Sequence, residues 1–147
     1  MGKITFNNAD ISFSLKNKRA IKTGLIHLFN EEAKFLTELS IVFCTDEYLL
    51  QLNKLHLNHD YYTDILTFDL GTSLDEISGE LYISVERVKD NASQMNIPLI
   101  NELFRVIIHG CLHLCGYKDK SASQIKIMRQ KEDLYLRTPM FHVEHIK

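Results

Sequence analysis

The 147-residue chain has no tryptophan, two prolines and six glycines, so no proline-rich spacer, glycine-rich linker or low-complexity tract divides it. Its three cysteines are an odd number and cannot all pair; reduced thiols in the cytoplasm are the expectation. No run approaches the roughly 18 uninterrupted apolar residues of a membrane span. The first ten residues lack the apolar core of a signal peptide, so a cytoplasmic protein with no membrane partner is expected. Positive charge is also short, at 17 Lys and Arg against 19 Asp and Glu, a net charge of −2. A protein that holds nucleic acid by general electrostatics is usually basic, so any such binding would need a local patch. Lys16, Lys18, Arg19 and Lys22 could form one, and Arg105, Lys118 and Lys120 another. What is present is 45% hydrophobic residues over a length that can bury a core. One domain over residues 1–138, followed by a tail over 139–147, is the expectation.

Periodicity sets the order of elements. Residues 4–6 and 11–13 alternate apolar with polar side chains, the period of a half-buried strand, and at least the first is expected to form one. Ala20, Ile21, Leu25, Leu28 and Phe29 recur at helical intervals. Residues 39–44 are an apolar, β-branched run suited to an interior strand. Thr45 or Asp46 can cap a helix through Leu49, Leu50, Leu52 and Leu55. From Asn53 a polar loop is expected to lead into a strand over 64–70, with an exposed loop over 71–78 and another strand from Gly79. A helix follows over 85–95, Pro98 breaks it, and the next helix starts near Asn101. Ser121 and Gln124 fit a capping box that opens a last helix to about residue 137. The fold class expected is α+β, with roughly four strands packed on one buried helix.

That buried helix carries the chemistry. Leu103, Phe104, Val106, Ile107, Ile108, Cys111, Leu112, Leu114 and Cys115 make it apolar nearly all round, and one polar line survives through Glu102, Arg105, His109 and His113. Such a line across a core helix is expected to face a cavity, because unpaired buried polar groups are costly. His109 and His113 stand one turn apart and can close on one ion. Gly116 lets the chain leave the helix through a left-handed conformation and bring Asp119 to the same point. The pattern H-x3-H-x5-D offers two neutral nitrogens and one anionic oxygen, suits zinc, and leaves a fourth position open. Cys111 and Cys115 are turned about 200° from their neighbours in the histidine line and read as small core residues.

The run from His109 to Tyr117, H-G-C-L-H-L-C-G-Y, resembles the signature H-G-x-L-H-L-x-G-Y-D-H of the YbeY family of bacterial endoribonucleases, also described as rRNA maturation factors. Residues 63–68, T-D-I-L-T-F, resemble the family block T-(D/N)-V-L-(S/T)-F. Residues 79–84, G-E-L-Y-I-S, resemble G-(D/E)-I-x-I-(S/C). The resemblance implies a compact zincin-like fold with one zinc ion per chain. It also implies a metal-dependent endoribonuclease, specific for single strands, acting on the 3′ end of 16S rRNA and in ribosome quality control. Single-stranded RNA and the small ribosomal subunit are the implied partners. The first two zinc histidines of the family carry over to His109 and His113. Lys118-Asp119 stands where the family has Asp-His, and the third ligand is assigned to Asp119. The family arginine thought to contact phosphate is replaced by Leu57. Arg105 is grouped with the histidines as catalytic, and Lys118, His59 and Asp64 as substrate-binding; His56 could also supply positive charge, and Glu80 matches a block position.

Two other readings compete. A zinc peptidase with H-E-x-x-H-x-x-G-x-x-(H/D) has the same ligand spacing, but its general base would stand where this chain has Gly110. A ribosome-associated protein with a structural zinc would share the ligands and lack the cleavage. In the tail, His142 and His145 could be extra ligands, although short terminal segments tend to fray. Residues 140–145 can also be encoded by a DNA palindrome, TGTTCCACGTGGAACA, that resembles the site bound by bacterial chromosome-partition proteins.

Overall fold

The computed structural model describes residues 2–59 and 61–141. Strands β1 (Lys3–Asn8), β2 (Phe35–Cys44), β3 (Ile65–Asp69) and β4 (Glu76–Ser84) form one sheet in the order β1-β2-β4-β3. The first three in that order run parallel, and β3 pairs antiparallel with β4 at the edge. Helices α1 (Lys18–Glu31), α2 (Asp46–Leu57), α3 (Val85–Met95), α4 (Leu99–Leu114) and α5 (Ala122–Leu136) complete the α+β architecture. The expectation of four strands packed on a buried helix is met.

Alternation on the strands decides which face is covered. Leu39, Ile41 and Phe43 of β2 and Ile77, Leu81 and Ile83 of β4 share a core with Leu25 and Leu28 of α1 and Leu103, Ile107 and Cys111 of α4, all essentially inaccessible. Each such aliphatic side chain contributes about 1.5–3 kcal/mol on leaving water. The other face is covered at the β3–β4 end by α2, through Leu49 and Leu66, with Leu52, Phe68 and Tyr82 beside them. No single helix among the described residues is long and apolar enough to cross a membrane. The three cysteines are buried and free, and burial pushes the Cys115 thiol up to about 12, which fits core residues better than reactive ones.

Several expectations need correction. Of the two alternating stretches, the first forms β1 as expected, and residues 11–13, which the pattern left open, form no strand; Asn8 Nδ2 donates to the Phe13 carbonyl at 2.9 Å, and the Phe13 ring packs edge-on against Phe43. Their alternation serves side-chain packing without a ladder. The loop expected from Asn53 is helical as far as Leu57, where Asn58 takes a left-handed conformation at φ 59° and ends α2. β2 starts four residues before the apolar run and β4 begins within the expected loop. Within residues 139–147, Pro139–Phe141 is a 3-10 turn beside α1, and Phe141 is 2% exposed against Phe104. His142, His145 and most of the palindromic segment lie outside the described residues.

Candidate metal centre

α4 ends in a turn that shapes the site. Tyr117 N–H bonds the Leu112 carbonyl at 3.1 Å and Gly116 N–H bonds His113 at 2.9 Å, the paired bonds of a Schellman motif. Gly116 sits at φ 107°, where a side chain would be strained. This turn folds the Tyr117 carbonyl back to 2.9 Å from His113 Nδ1. A carbonyl can only accept, so His113 Nδ1 carries the proton and Nε2 keeps its lone pair.

His109 is oriented from α5. Its Nδ1 lies 2.6 Å from Glu132 Oε2. Burial pushes the Glu132 carboxyl up, but the His109 bond and the Arg105 charge outweigh it and hold the group below the usual carboxylate range. An ionised carboxylate accepts, so Nδ1 of His109 is the donor and its Nε2 faces inward as well.

The two Nε2 atoms are 3.0 Å apart, and Asp119 Oδ2 is 3.3 Å from each. Among the described residues these three form the one group placed to share a metal ion. Three acceptor atoms so close repel one another unless a cation lies among them. Tetrahedral zinc with bonds of about 2.0–2.1 Å separates its ligands by ~3.3 Å, so the donors fit. Exposure rises across the set, from 21% for the His109 side chain to 26% for His113 and 39% for Asp119. The centre opens on a cleft of about 550 Å³ whose lining also includes Leu57, His59, Tyr61, Asp64 and residues of β3.

The remaining expected residues divide. His59 and Asp64 line the cleft; His59 Nδ1 is 2.9 Å from the Tyr61 hydroxyl, and Asp64 Oδ2 accepts from Asn91 at 3.3 Å. Lys118 is exposed and does not line it, whereas Lys120 does. Leu57 faces the cleft, and His56 lies on the other side of the sheet against Phe68. The polar line on α4 does not face one cavity. Arg105 turns away to pair with Glu102 and, at 3.1 Å, with Glu132. Glu102 is inaccessible, and that burial is offset by its bonds to the guanidinium.

Glu132 was not foreseen, although a signal existed. Met128, Glu132 and Tyr135 form the buried face of α5, and a carboxylate on an apolar stripe implies a buried partner. Glu32, at the end of α1, was also missed. It accepts from the Tyr117 hydroxyl at 2.7 Å, Lys131 at 3.0 Å and the Tyr135 hydroxyl, tying the turn that precedes Asp119 to α5.

Residues 3–139 match the family model described as endoribonuclease YbeY. Two proteins carrying that name resemble the chain over nearly their whole length. The one from Cytophaga hutchinsonii is 44% identical over 138 residues, 94% of this chain and 96% of that protein. The one from Flavobacterium johnsoniae is 47% identical over 137 residues, 93% and 96% respectively. A solution structure from Thermotoga maritima superposes with a TM-score of 0.69 at 26% identity, covering 97% of this chain and 91% of that one. The chain belongs to the YbeY endoribonuclease family.

Proposed function

We propose that the chain hydrolyses single-stranded RNA at the His109–His113–Asp119 centre, with one zinc ion per chain held by these three residues. Its substrate is ribosomal RNA, the 3′ end of 16S rRNA in particular, met in the cytoplasm on the small ribosomal subunit, where it also serves ribosome quality control. The observation that carries this reading is the convergence of two Nε2 atoms, each with its lone pair free, and one carboxylate oxygen within 3.3 Å in the lining of an open cleft. A bound divalent ion there supplies Lewis acidity toward a phosphoryl oxygen and makes water a better nucleophile near neutral pH. Everything else is done by the chain. Glu132 and the Tyr117 carbonyl fix the two rings in the tautomer that binds. Arg105 acts from behind, holding Glu132 in place. Lys120 meets the substrate's phosphate in place of the missing arginine, and His59 and Asp64 contact the RNA from the same lining; Lys118 reaches it from the rim.

Two observations weigh against the competing readings. A Cβ on Gly110 would meet Ile65 Cδ1 at 2.7 Å and Leu81 Cδ2 at 2.9 Å. The position that carries a peptidase's glutamate therefore faces the sheet. A structural zinc takes four protein ligands, whereas three are placed here among the described residues and the fourth direction is open.

Metal content and RNA cleavage measured on one preparation test the reading. The wild type should hold one zinc per chain and cut single-stranded RNA. His113→Ala and Asp119→Ala should each lose cleavage and weaken metal binding by more than roughly a hundredfold, since even outer partners are worth ten- to a hundredfold. Tight zinc with no cleavage by wild type would replace the nuclease with a binding protein. Undiminished metal binding by Asp119→Ala would move the third ligand elsewhere.

A further inference from the structure

Among the described residues β3 is an edge strand, with no neighbouring strand on one side. The groups it presents there follow from the register. The Asp64 carbonyl accepts from Ser84 N–H at 3.0 Å, and Leu70 N–H donates to the Ser78 carbonyl at 2.7 Å. Between these two, Leu66 stands opposite Tyr82 and Phe68 opposite Glu80. In an antiparallel pair, residues that exchange bonds alternate with residues whose N–H and C=O point the other way. Ile65, Thr67 and Asp69 are therefore the outward set. Their amides are spaced ~6.8 Å apart, two strand steps. Among the described residues one of these groups has a partner, the Ile65 carbonyl, which accepts from the Thr63 hydroxyl at 3.4 Å.

The position of this edge gives it meaning. Ile65, Thr67 and Asp69 line the same cleft as His109, His113 and Asp119, and Ile65 packs on Gly110, the neighbour of His109. The lining carries the carboxylates Asp64, Asp69 and Asp119 against one ammonium, Lys120. Charge alone cannot hold a polyanion there, so neutral hydrogen bonds and stacking must carry much of the affinity. The same wall supplies both. Tyr61, 55% exposed, stacks on His59 with ring centroids 5.1 Å apart and leaves its other face for a base.

We propose that the free edge of β3 is the track along which single-stranded RNA lies. The outward N–H groups of Ile65, Thr67 and Asp69 donate to phosphate oxygens, the outward carbonyls of Thr67 and Asp69 accept from 2′-hydroxyls, and the Tyr61–His59 pair stacks a base. The proposal rests on the reading that the cleft takes RNA and adds the basis of its selectivity. DNA lacks the 2′ donor and would leave those carbonyls unpaired. A duplex keeps its bases in the helix and cannot offer one to Tyr61.

Thr67→Pro tests this directly, because proline deletes an outward N–H while every ladder bond to β4 remains, the placement edge strands tolerate; Thr67→Val is the side-chain control. Binding of a short labelled oligoribonucleotide to the full-length chain is followed by anisotropy with chelator present to prevent cutting, beside KM for the metal-loaded enzyme. Thr67→Pro should bind roughly ten- to a hundredfold more weakly than Thr67→Val, the loss of one bond to a charged oxygen beyond whatever the side chain contributes. DNA and 2′-fluoro RNA of the same sequence should bind wild type more weakly than RNA. The log–log salt slope should be shallow, on the order of −1 to −2. If Thr67→Pro does not fold, amide exchange in wild type decides: RNA should slow Ile65, Thr67 and Asp69. If wild type binds and cuts RNA while Thr67→Pro matches Thr67→Val, or those amides exchange unchanged, the edge assignment falls and the nuclease reading stands. If wild type binds no RNA, both fall. Protection of Thr67 by casein and not by RNA would give the edge to an extended polypeptide.

Discussion

Glu132→Gln separates the residue that orients a ligand from the ion-pair network around it. Glu132 is 1% exposed; its Oε2 lies 2.6 Å from His109 Nδ1, and its Oε1 takes Arg105 at 3.1 Å and Arg129 at 3.2 Å. Glutamine still offers an oxygen to the Nδ1–H, so the tautomer survives and the negative charge behind the ring is lost. Bonds to a charged group contribute about 1.5–3 kcal/mol and neutral ones about 0.5–1.5 kcal/mol. The difference between the middles of these ranges, roughly 1.25 kcal/mol, corresponds to just under tenfold weaker metal binding, the lower end of what outer partners of metal ligands contribute. The new amide NH2 also faces Arg105 and Arg129, donor against donor, so the metal-free protein should melt lower. Glu102→Gln provides the contrast. Glu102 is just as buried and grips the same guanidinium, but among the described residues it does not touch His109. Both variants should lose thermal stability, and only Glu132→Gln should lose the tenfold in zinc affinity, read by competition with a chromophoric chelator. Equal affinities in Glu132→Gln and wild type would refute the orienting role. So would equal losses in the two variants, which would reduce Glu132 to one more member of the ion-pair network.

Asp119→His replaces an anionic donor by a neutral one; it should keep one metal per chain and move the pH–rate profile for RNA cleavage toward lower pH, and an unmoved profile would exclude Asp119 from the metal. Phe141→Ala should cost about 3–5 kcal/mol in denaturant unfolding, as for other buried rings, whereas a loss below ~1 kcal/mol would show that the turn at residues 139–141 does not stay docked on Phe104. Burial pushes the Glu32 carboxyl up, but the hydroxyls of Tyr135 and Tyr117 and the Lys131 ammonium outweigh it, so its folded pKa lies below the ordinary 4.5. A depressed carboxylate adds stability that is complete above the unfolded pKa and is lost as pH falls through the folded one. Glu32→Gln should therefore melt below wild type by a constant margin at neutral pH, with the margin closing below about pH 4.5; a margin that persists into acid would contradict the charged form.

Legibility followed the range of the interactions. α3 and the capping box of α5 were readable because cap, period and stop lie within a few residues of one another. The end of α2 was legible only as far as Leu55: His56 and Leu57 extend it although they look like loop, and the buried Asn53 side chain donates to the Tyr61 carbonyl at 2.9 Å. Strand period at residues 11–13 carried no information on whether a neighbouring backbone was free to pair, and here packing on Phe43 took its place. The grouping of His109, His113 and Asp119 was readable for the same local reason, since one helix and the turn after it carry all three. Arg105 looked like a member of their line, because helical spacing gives the direction of a side chain and not the charge that meets it. That charge belongs to Glu102, three residues back, and to Glu132, 27 residues on, which also holds His109. A local motif can therefore name the side chains placed to share a metal ion and even the Tyr117 carbonyl that sets the His113 tautomer, whereas the carboxylate that orients His109 comes from helix packing. In this chain the residue marking that packing was visible all along, as the one carboxylate on the buried stripe of α5.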